Sequence, residues 1–401
     1  MHPFQKTNIL LPDGIAMERW SVIACDQFAS QPEYWDQVRQ IAGNSPSAVN
    51  LILPESELDG DCDAAIASIN ATMHRYLQEQ VFRLYPDSFV YVERTLLSGA
   101  VRKGVVGAVD LQQYDFRPES GAAIRATEET VAERIPPRMN IRRNAPLELP
   151  HVLMLCDDEE KRLVESLTAK KDSLPLLYDF ELMLGGGRIR GWLVSGEAAH
   201  IFATALDVYE QRMRQKYPGS HVLYAVGDGN HSLASAKGCY EENKACDNAR
   251  YALVELENIH DEAQVFEPIH RIIKNTDPDA LLKAMENAIG KNSGHPIRWH
   301  IGDRSGVFCV HDDGGKLPVG IVQEFLDDYL MHNGGIIDYI HGEDALCQLA
   351  QAENSIGFIL PPVEKNAFFQ GIIAGGTLPR KTFSMGHARE KRYYLEARKI
   401  K

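Results

Sequence analysis

The chain has 401 residues, 44% hydrophobic, 24% charged and 8% aromatic, with a formal net charge of −14. That is the make-up of an ordinary soluble globular protein, and the acidic excess argues against a dedicated nucleic-acid binder. No apolar run nears the roughly 20 residues of a membrane helix, and the start MHPFQKTNILLPDG lacks the basic, apolar and small-residue regions of a secretory signal. Seven cysteines, scattered without zinc-ribbon or redox-motif spacing, point to reduced thiols in a cytoplasmic protein.

In chain order, residues 61–82 carry the 3.6-residue period of an amphipathic helix. SFVYVERTLL and KGVVGAVDL read as strands joined by a turn at Ser98 and Gly99. Residues 124–146 hold five arginines, Arg125, Arg134, Arg138, Arg142 and Arg143, with Pro136 and Pro137 expected to interrupt any helix and expose a turn. PHVLMLCDD and PLLYDFEL are short apolar runs flanking a charged helix candidate over 158–171, and the GGG at 185–187 suits a tight hairpin. Residues 197–217 form the clearest helix, stopped by Pro218 and Gly219. Helices over 277–290 and 320–331 then alternate with strands near 306–310 and 355–360. The class is α+β, or mixed α/β. We read residues 1–401 as one unit, with two coupled subdomains meeting near 195–220 as the variant.

The richest stretch is LYAVGDGNHSLASAK, residues 223–237. A short apolar strand leaves through Gly227, Asp228, Gly229, Asn230, His231 and Ser232 and enters a helix at once. Helix starts carry unsatisfied N–H groups and the positive end of the helix dipole, and glycines let a phosphate approach the backbone closely. Asp228 could hold magnesium or cap the turn, and His231 and Ser232 could donate to phosphate. A capped turn with no ligand is an equally good account of the spacing. It is neither a Walker loop nor a dinucleotide fingerprint, because the Lys-Ser/Thr pair and the third glycine are missing.

GDGNHSLASAK resembles the Asp-Gly-His-His-Arg hallmark of a bacterial family, domain of unknown function family 1015. The likeness extends to AIRATEETVAERIPPRMNIRRNAP, VFEPIHRIIKN, TLPRKTFSM and ACDQFAS, which stand in the family's order. That family is similar to the ParB/sulfiredoxin-like superfamily, whose Gly-x-x-Arg turn binds nucleotide phosphates. The resemblance implies a nucleotide-binding core of that kind, with additional mixed sheet and helices. Two positions depart from the pattern: Ser232 stands where the motif has arginine, and Thr127 where it has histidine.

The resemblance implies a nucleotide-dependent phosphotransferase acting on a small hydroxylated metabolite, with ATP or ADP and Mg as cofactors. Glu128 would orient or deprotonate the acceptor hydroxyl, Asp228 would hold the metal, and Asp26 would add a second carboxylate. Arg138 and Arg142 are the candidates for the missing Ser232 grip, and His270, Arg271 and Lys381 would complete the anion site. Solvated surface, a satisfied core histidine and an exposed lysine are the competing accounts of these positions. The alternative function is a non-catalytic regulator that binds a nucleotide or phosphometabolite. Neither nucleic acid nor membrane is an expected partner, and a homo-oligomer is compatible with the sequence.

Overall fold

A computed structural model describes residues 2–58, 62–118, 120–128, 130, 135–244, 246–311, 316–379 and 381–401. The fold is mixed α/β. It divides into two compact units: Met1–Ala126 with Thr130–Gln264 and His387–Lys401, and Thr127–Glu129 with Val265–Gly386. No helix among the described residues is long and apolar enough to cross a membrane.

The first unit is built on an eleven-stranded sheet. Its main path runs through Leu176–Glu181, Arg188–Val194, Phe82–Thr95, Val101–Asp110, Tyr251–Asn258, Leu153–Cys156, Tyr224–Asp228, Ile124–Ala126 and Tyr114–Asp115. The first five strands pair antiparallel with one another. Beyond them the pairing is mixed: Leu153–Cys156 lies parallel to Tyr251–Asn258 and antiparallel to Tyr224–Asp228, which in turn lies parallel to Ile124–Ala126. Leu153–Cys156 is buried at all four positions, which fits a strand covered on both faces.

Several local expectations hold. The 61–82 period becomes the helix Asp63–Gln78, and the 197–217 period becomes Gly196–Lys216. The GGG stretch closes the hairpin between Leu176–Glu181 and Arg188–Val194. Gly187 there has φ +82°, and a Cβ would meet the Thr95 carbonyl oxygen at 2.2 Å, so no other residue fits.

Two expectations fail. Residues 158–171 make only the short helix Glu165–Thr168, followed by a 3-10 turn at Lys171–Ser173. The Asp158 carboxylate accepts the Leu163 N–H at 2.6 Å and Lys161 adopts φ 54°, so a side-chain turn takes the backbone donor a helix would use. Pro136 and Pro137 do not break the chain into an open turn; they lie at the start of the described helix Ile135–Arg143. First-turn positions tolerate proline because an N–H there has no intrahelical acceptor.

The second unit has a seven-stranded antiparallel sheet. Phe266–Lys274 pairs with Ile336–His341, Ser355–Ile359 and Phe383–Met385, and His295–Ile301 continues the sheet from Ser355–Ile359 to Arg304–Val310. The helices Pro278–Ile289 and Pro318–Asn333 match the predicted ones closely. Phe266, Phe368 and Phe383 pack as an aromatic group, with ring centroids 4.7–5.5 Å apart.

Candidate functional site

The strand Tyr224–Asp228 ends in a register shift opposite Leu153, between Val226 and Asp228. An irregularity at Gly227 of this kind re-aims the side chain that follows it. Gly229 then takes a left-handed conformation (φ 83°, ψ 26°) and serves as N-cap of the helix Asn230–Glu242, with no side chain capping the start. A Cβ at Gly229 would stand 3.1 Å from the Val152 Cα. The turn therefore requires this glycine for its own geometry, with or without a phosphate. Residues Gly227 to Ser232 are all half-buried.

Around this turn the first unit gathers residues distant in sequence. Lys391 Nζ lies 3.7 Å from Asp228 Oδ1. His151 Nε2 lies 3.3 Å from Ser232 Oγ and 3.9 Å from Asp26 Oδ1. The Cys25 N–H donates to the Tyr394 hydroxyl at 3.2 Å, and that hydroxyl is 2.8 Å from His151 Nδ1. Burial opposes the charge on Asp26, yet His151, the Gln27 side chain and Lys391 together hold its carboxyl below the ordinary range. Asp26 Oδ1 and Asp228 Oδ2 are both buried and accept no hydrogen bond. Such oxygens are costly in a folded protein unless water, a cation or a donor reaches them.

Lys391 is set in place from below. The fully buried Arg94 guanidinium donates to the carbonyls of Gly186, Arg389, Glu390 and Lys391 at 2.6–3.2 Å, and Arg102 adds a bond to Glu390 O. The C-terminal segment is thereby clamped to the sheet on both sides of the lysine's own peptide.

Beside the turn lies a cavity of about 140 Å³. Ser232, His151, Arg138 and Tyr394 contribute polar lining, and most of the remaining wall is apolar. Cys25 also lines it, but burial, followed by the nearby Asp26, pushes its thiol up to about 12, so no thiolate nucleophile stands here.

The arginine-rich segment is not the open anion well its sequence suggests. Arg125 is buried in a strand and donates to Pro118 O. Arg138 pairs with Glu55 at 3.0 Å, Arg142 with Glu148 at 2.5 Å and Arg143 with Glu242 at 2.8 Å. Glu148 is also held by Arg398 at 2.6 Å. Arg134 lies outside the described residues. Arg138 and Arg142 do line the cavity beside Ser232, each with its carboxylate.

The remaining candidates belong to the second unit. Glu128 forms a parallel bridge with Leu378, beside a 2.6 Å bond from the Leu378 N–H to Thr127 O. Arg271 is fully buried; it donates to Gln323 Oε1 at 2.8 Å, to Ile269 O at 2.6 Å and to Lys381 O at 2.9 Å, and stacks on Tyr339 at 4.8 Å. Lys381 itself has φ 58°, with its carbonyl held by Arg271. His270 Nδ1 accepts the Leu360 N–H at 3.2 Å, and burial lowers its pKa, so it is a neutral core histidine.

His151, Lys391 and Tyr394 are the members of the first-unit site that sequence reasoning missed. No motif surrounds them: Tyr394 comes in where Tyr393–Tyr394 pairs with Val22–Ile23, Lys391 through the Arg94 clamp, and His151 just ahead of the strand Leu153–Cys156. A second polar cluster joins His260 to Asp157 and Glu159, with ligand atoms within 4.8 Å of one another. There, however, Lys216 already places its ammonium 2.8 Å from Asp157 and 2.6 Å from Glu159, where a metal would sit.

No curated protein matches the chain. Among solved structures it is similar to a C-terminally truncated SbnI from Staphylococcus aureus (10% identity, 72% of this chain and 82% of that one, TM-score 0.37). It is similar also to a conserved hypothetical protein from Pyrococcus furiosus (12%, 73% and 94%, TM-score 0.34) and to a free serine kinase in complex with AMP (11%, 73% and 90%, TM-score 0.37). Residues 2–399 match the model of the protein family of unknown function DUF1015. With the match running over nearly its whole length, the chain belongs to that family.

Proposed function

We propose that this protein is a cytoplasmic, nucleotide-dependent phosphotransferase acting on a small hydroxylated metabolite, with a ParB/sulfiredoxin-like nucleotide-binding core. The observation that carries this reading is the pair of buried carboxylate oxygens, Asp26 Oδ1 and Asp228 Oδ2, left without hydrogen bonds beside an uncapped helix start and the Lys391 ammonium. Hard oxygen ligands of this kind suit magnesium, which is bound through one or two carboxylates together with substrate phosphates. Asp228 and Asp26 would hold the ion, whose chemistry there is to neutralise phosphate charge. The N–H groups at the start of Asn230–Glu242, with Asn230, His231 and Ser232, would bind the phosphate, and Lys391 would add a further positive charge. Little covalent work is then asked of the protein beyond placing the acceptor hydroxyl and taking its proton. Glu128 is the proposed base, and Asp26 is the competing one because it shares a cluster with Asp228.

One observation favours the regulator reading instead. Ser232 lacks the guanidinium of the family motif, and the neighbouring Arg138 and Arg142 are already paired with carboxylates. A thermal-shift series with ATP, ADP, CTP, GTP and pyrophosphate, with and without magnesium, tests the shared premise, since a specific ligand stabilises by RT ln(1 + [L]/Kd). A magnesium-dependent nucleotide shift that disappears in Asp228→Asn supports the site, and no shift with any of them sinks both readings. Turnover then separates the two: Glu128→Gln should keep nucleotide affinity and lose about 100-fold in rate. A full-rate variant removes Glu128 as the base.

A further inference from the structure

We propose that the cavity beside Ser232 and His151 is the acceptor pocket, and that it takes a hydroxylated molecule carrying one compact apolar group, either a branched aliphatic chain or a single ring. The proposal rests on the phosphotransfer reading of the neighbouring turn.

Volume and lining set the ligand class. At about 140 Å³ the cavity is close to the ~150 Å³ apolar cavity that stays dry and accepts benzene. Leu51, Leu53, Met73, Leu147, Leu149 and Leu253 come from well-separated stretches of the chain and form its apolar wall. Five of the six are under 6% exposed, and all six belong to the main core of the first unit. Arg138 and Arg142 reach the lining already neutralised by Glu55 and Glu148. The remaining polar atoms include Ser232 Oγ, the His151 ring and the Tyr394 hydroxyl, and Ser232 and His151 belong to the cluster around the Asp228 turn.

A ligand seated here would therefore direct its hydroxyl toward Ser232 and His151 and its apolar group against the leucines. Burying that group in place of water is favourable in proportion to its apolar area. A small polyol or a zwitterionic hydroxy amino acid would place polar or charged groups against leucine side chains that offer no hydrogen bond, and the loss of hydration would go uncompensated. The cavity thus selects against the most polar acceptors.

The test uses the full chain with benzyl alcohol as probe, glycerol as polar control and ADP with magnesium as control for the turn. Benzyl alcohol should raise the Tm saturably, and glycerol at equal concentration should not. Ala236 lines the cavity and is 2% exposed, so Ala236→Leu should fill the space and weaken benzyl alcohol at least about ten-fold, with the ADP response retained. Should that variant fail to fold, Leu53→Ala enlarges the same space and should shift preference about ten-fold toward 1-naphthalenemethanol. Absence of a saturable benzyl alcohol response in the wild type, with ADP still bound, overturns the acceptor pocket alone. So does an Ala236→Leu variant that binds benzyl alcohol as the wild type does, or an unchanged preference in Leu53→Ala. Benzyl alcohol binding without any nucleotide response overturns the phosphotransfer reading, and with it the acceptor role.

Discussion

Both units carry charged residues drawn from the family-like segments, but they use them differently. In the second unit Arg271 is fully buried and donates to a side-chain amide and two backbone carbonyls, one of them the carbonyl of Lys381. In the first unit Asp26 and Asp228 each keep a buried oxygen that accepts nothing. A buried polar group with its bonds made stabilises a fold, whereas one left without them costs free energy until a ligand arrives. The same kind of motif residue is bonded into the framework in one unit and keeps an oxygen without a hydrogen bond in the other.

The largest expected effect tests the architectural side. Arg271→Met removes the donor from two buried acceptors and a part-buried one and should cost roughly 3 kcal/mol, at about 1 kcal/mol or more for each oxygen left unpaired. Chemical denaturation measures it, and a loss below about 1 kcal/mol would place Arg271 outside the framework of its unit. On the other side, Asp228→Asn should change stability by no more than about 1 kcal/mol, because its 3.7 Å contact with Lys391 is a weak ion pair. The same substitution should abolish the magnesium dependence of nucleotide binding, read by calorimetry. If Asp228→Asn unfolds the protein instead, the contrast between the units disappears.

A third substitution restores the family residue. Ser232→Arg should tighten nucleotide binding about ten-fold if the turn faces phosphate, because a guanidinium grips phosphate through paired, charge-assisted bonds. Unchanged or weaker binding would mean that the turn meets a less charged ligand.

The smallest effect is a pH slope. The His270 pKa lies below its ordinary 6.5 in the folded protein, chiefly through burial, while Nδ1 accepts the Leu360 N–H. The unfolded chain then binds more protons than the folded one, so stability is full above about pH 6.5 and falls as the pH drops through that value toward the folded pKa. His270→Gln should show a shallower loss of stability between neutral pH and pH 5 than the wild type. Equal slopes would assign the acid sensitivity to other histidines.

Much of the fold was legible from local pattern. Helical periodicity found Asp63–Gln78, Gly196–Lys216 and Pro278–Ile289, because an amphipathic face is written every three to four residues. The strand, turn and helix around Asp228 were equally readable, since a left-handed glycine between an apolar run and a helical one is a local event. The failures came where one side chain redirected the backbone, as Asp158 does at Leu163. Partnership was illegible too. Nothing near Arg138 or Arg142 announces that Glu55 and Glu148 will neutralise them.

The sequence alone determined that the chain is a mixed α/β protein of this family and that residues 227–232 form a polar strand-to-helix turn, since both are properties of short stretches and their order. Tertiary structure decided which residues join that turn. His151 reaches it through the strand that begins just beyond it, and Lys391 through a C-terminal segment clamped by Arg94. Glu128 and Asp228, both marked by motif, were assigned to different units. Sequence patterns report what a residue needs from its neighbours along the chain; whether a buried carboxylate ends up paired or waiting depends on which distant segment the fold lays across it.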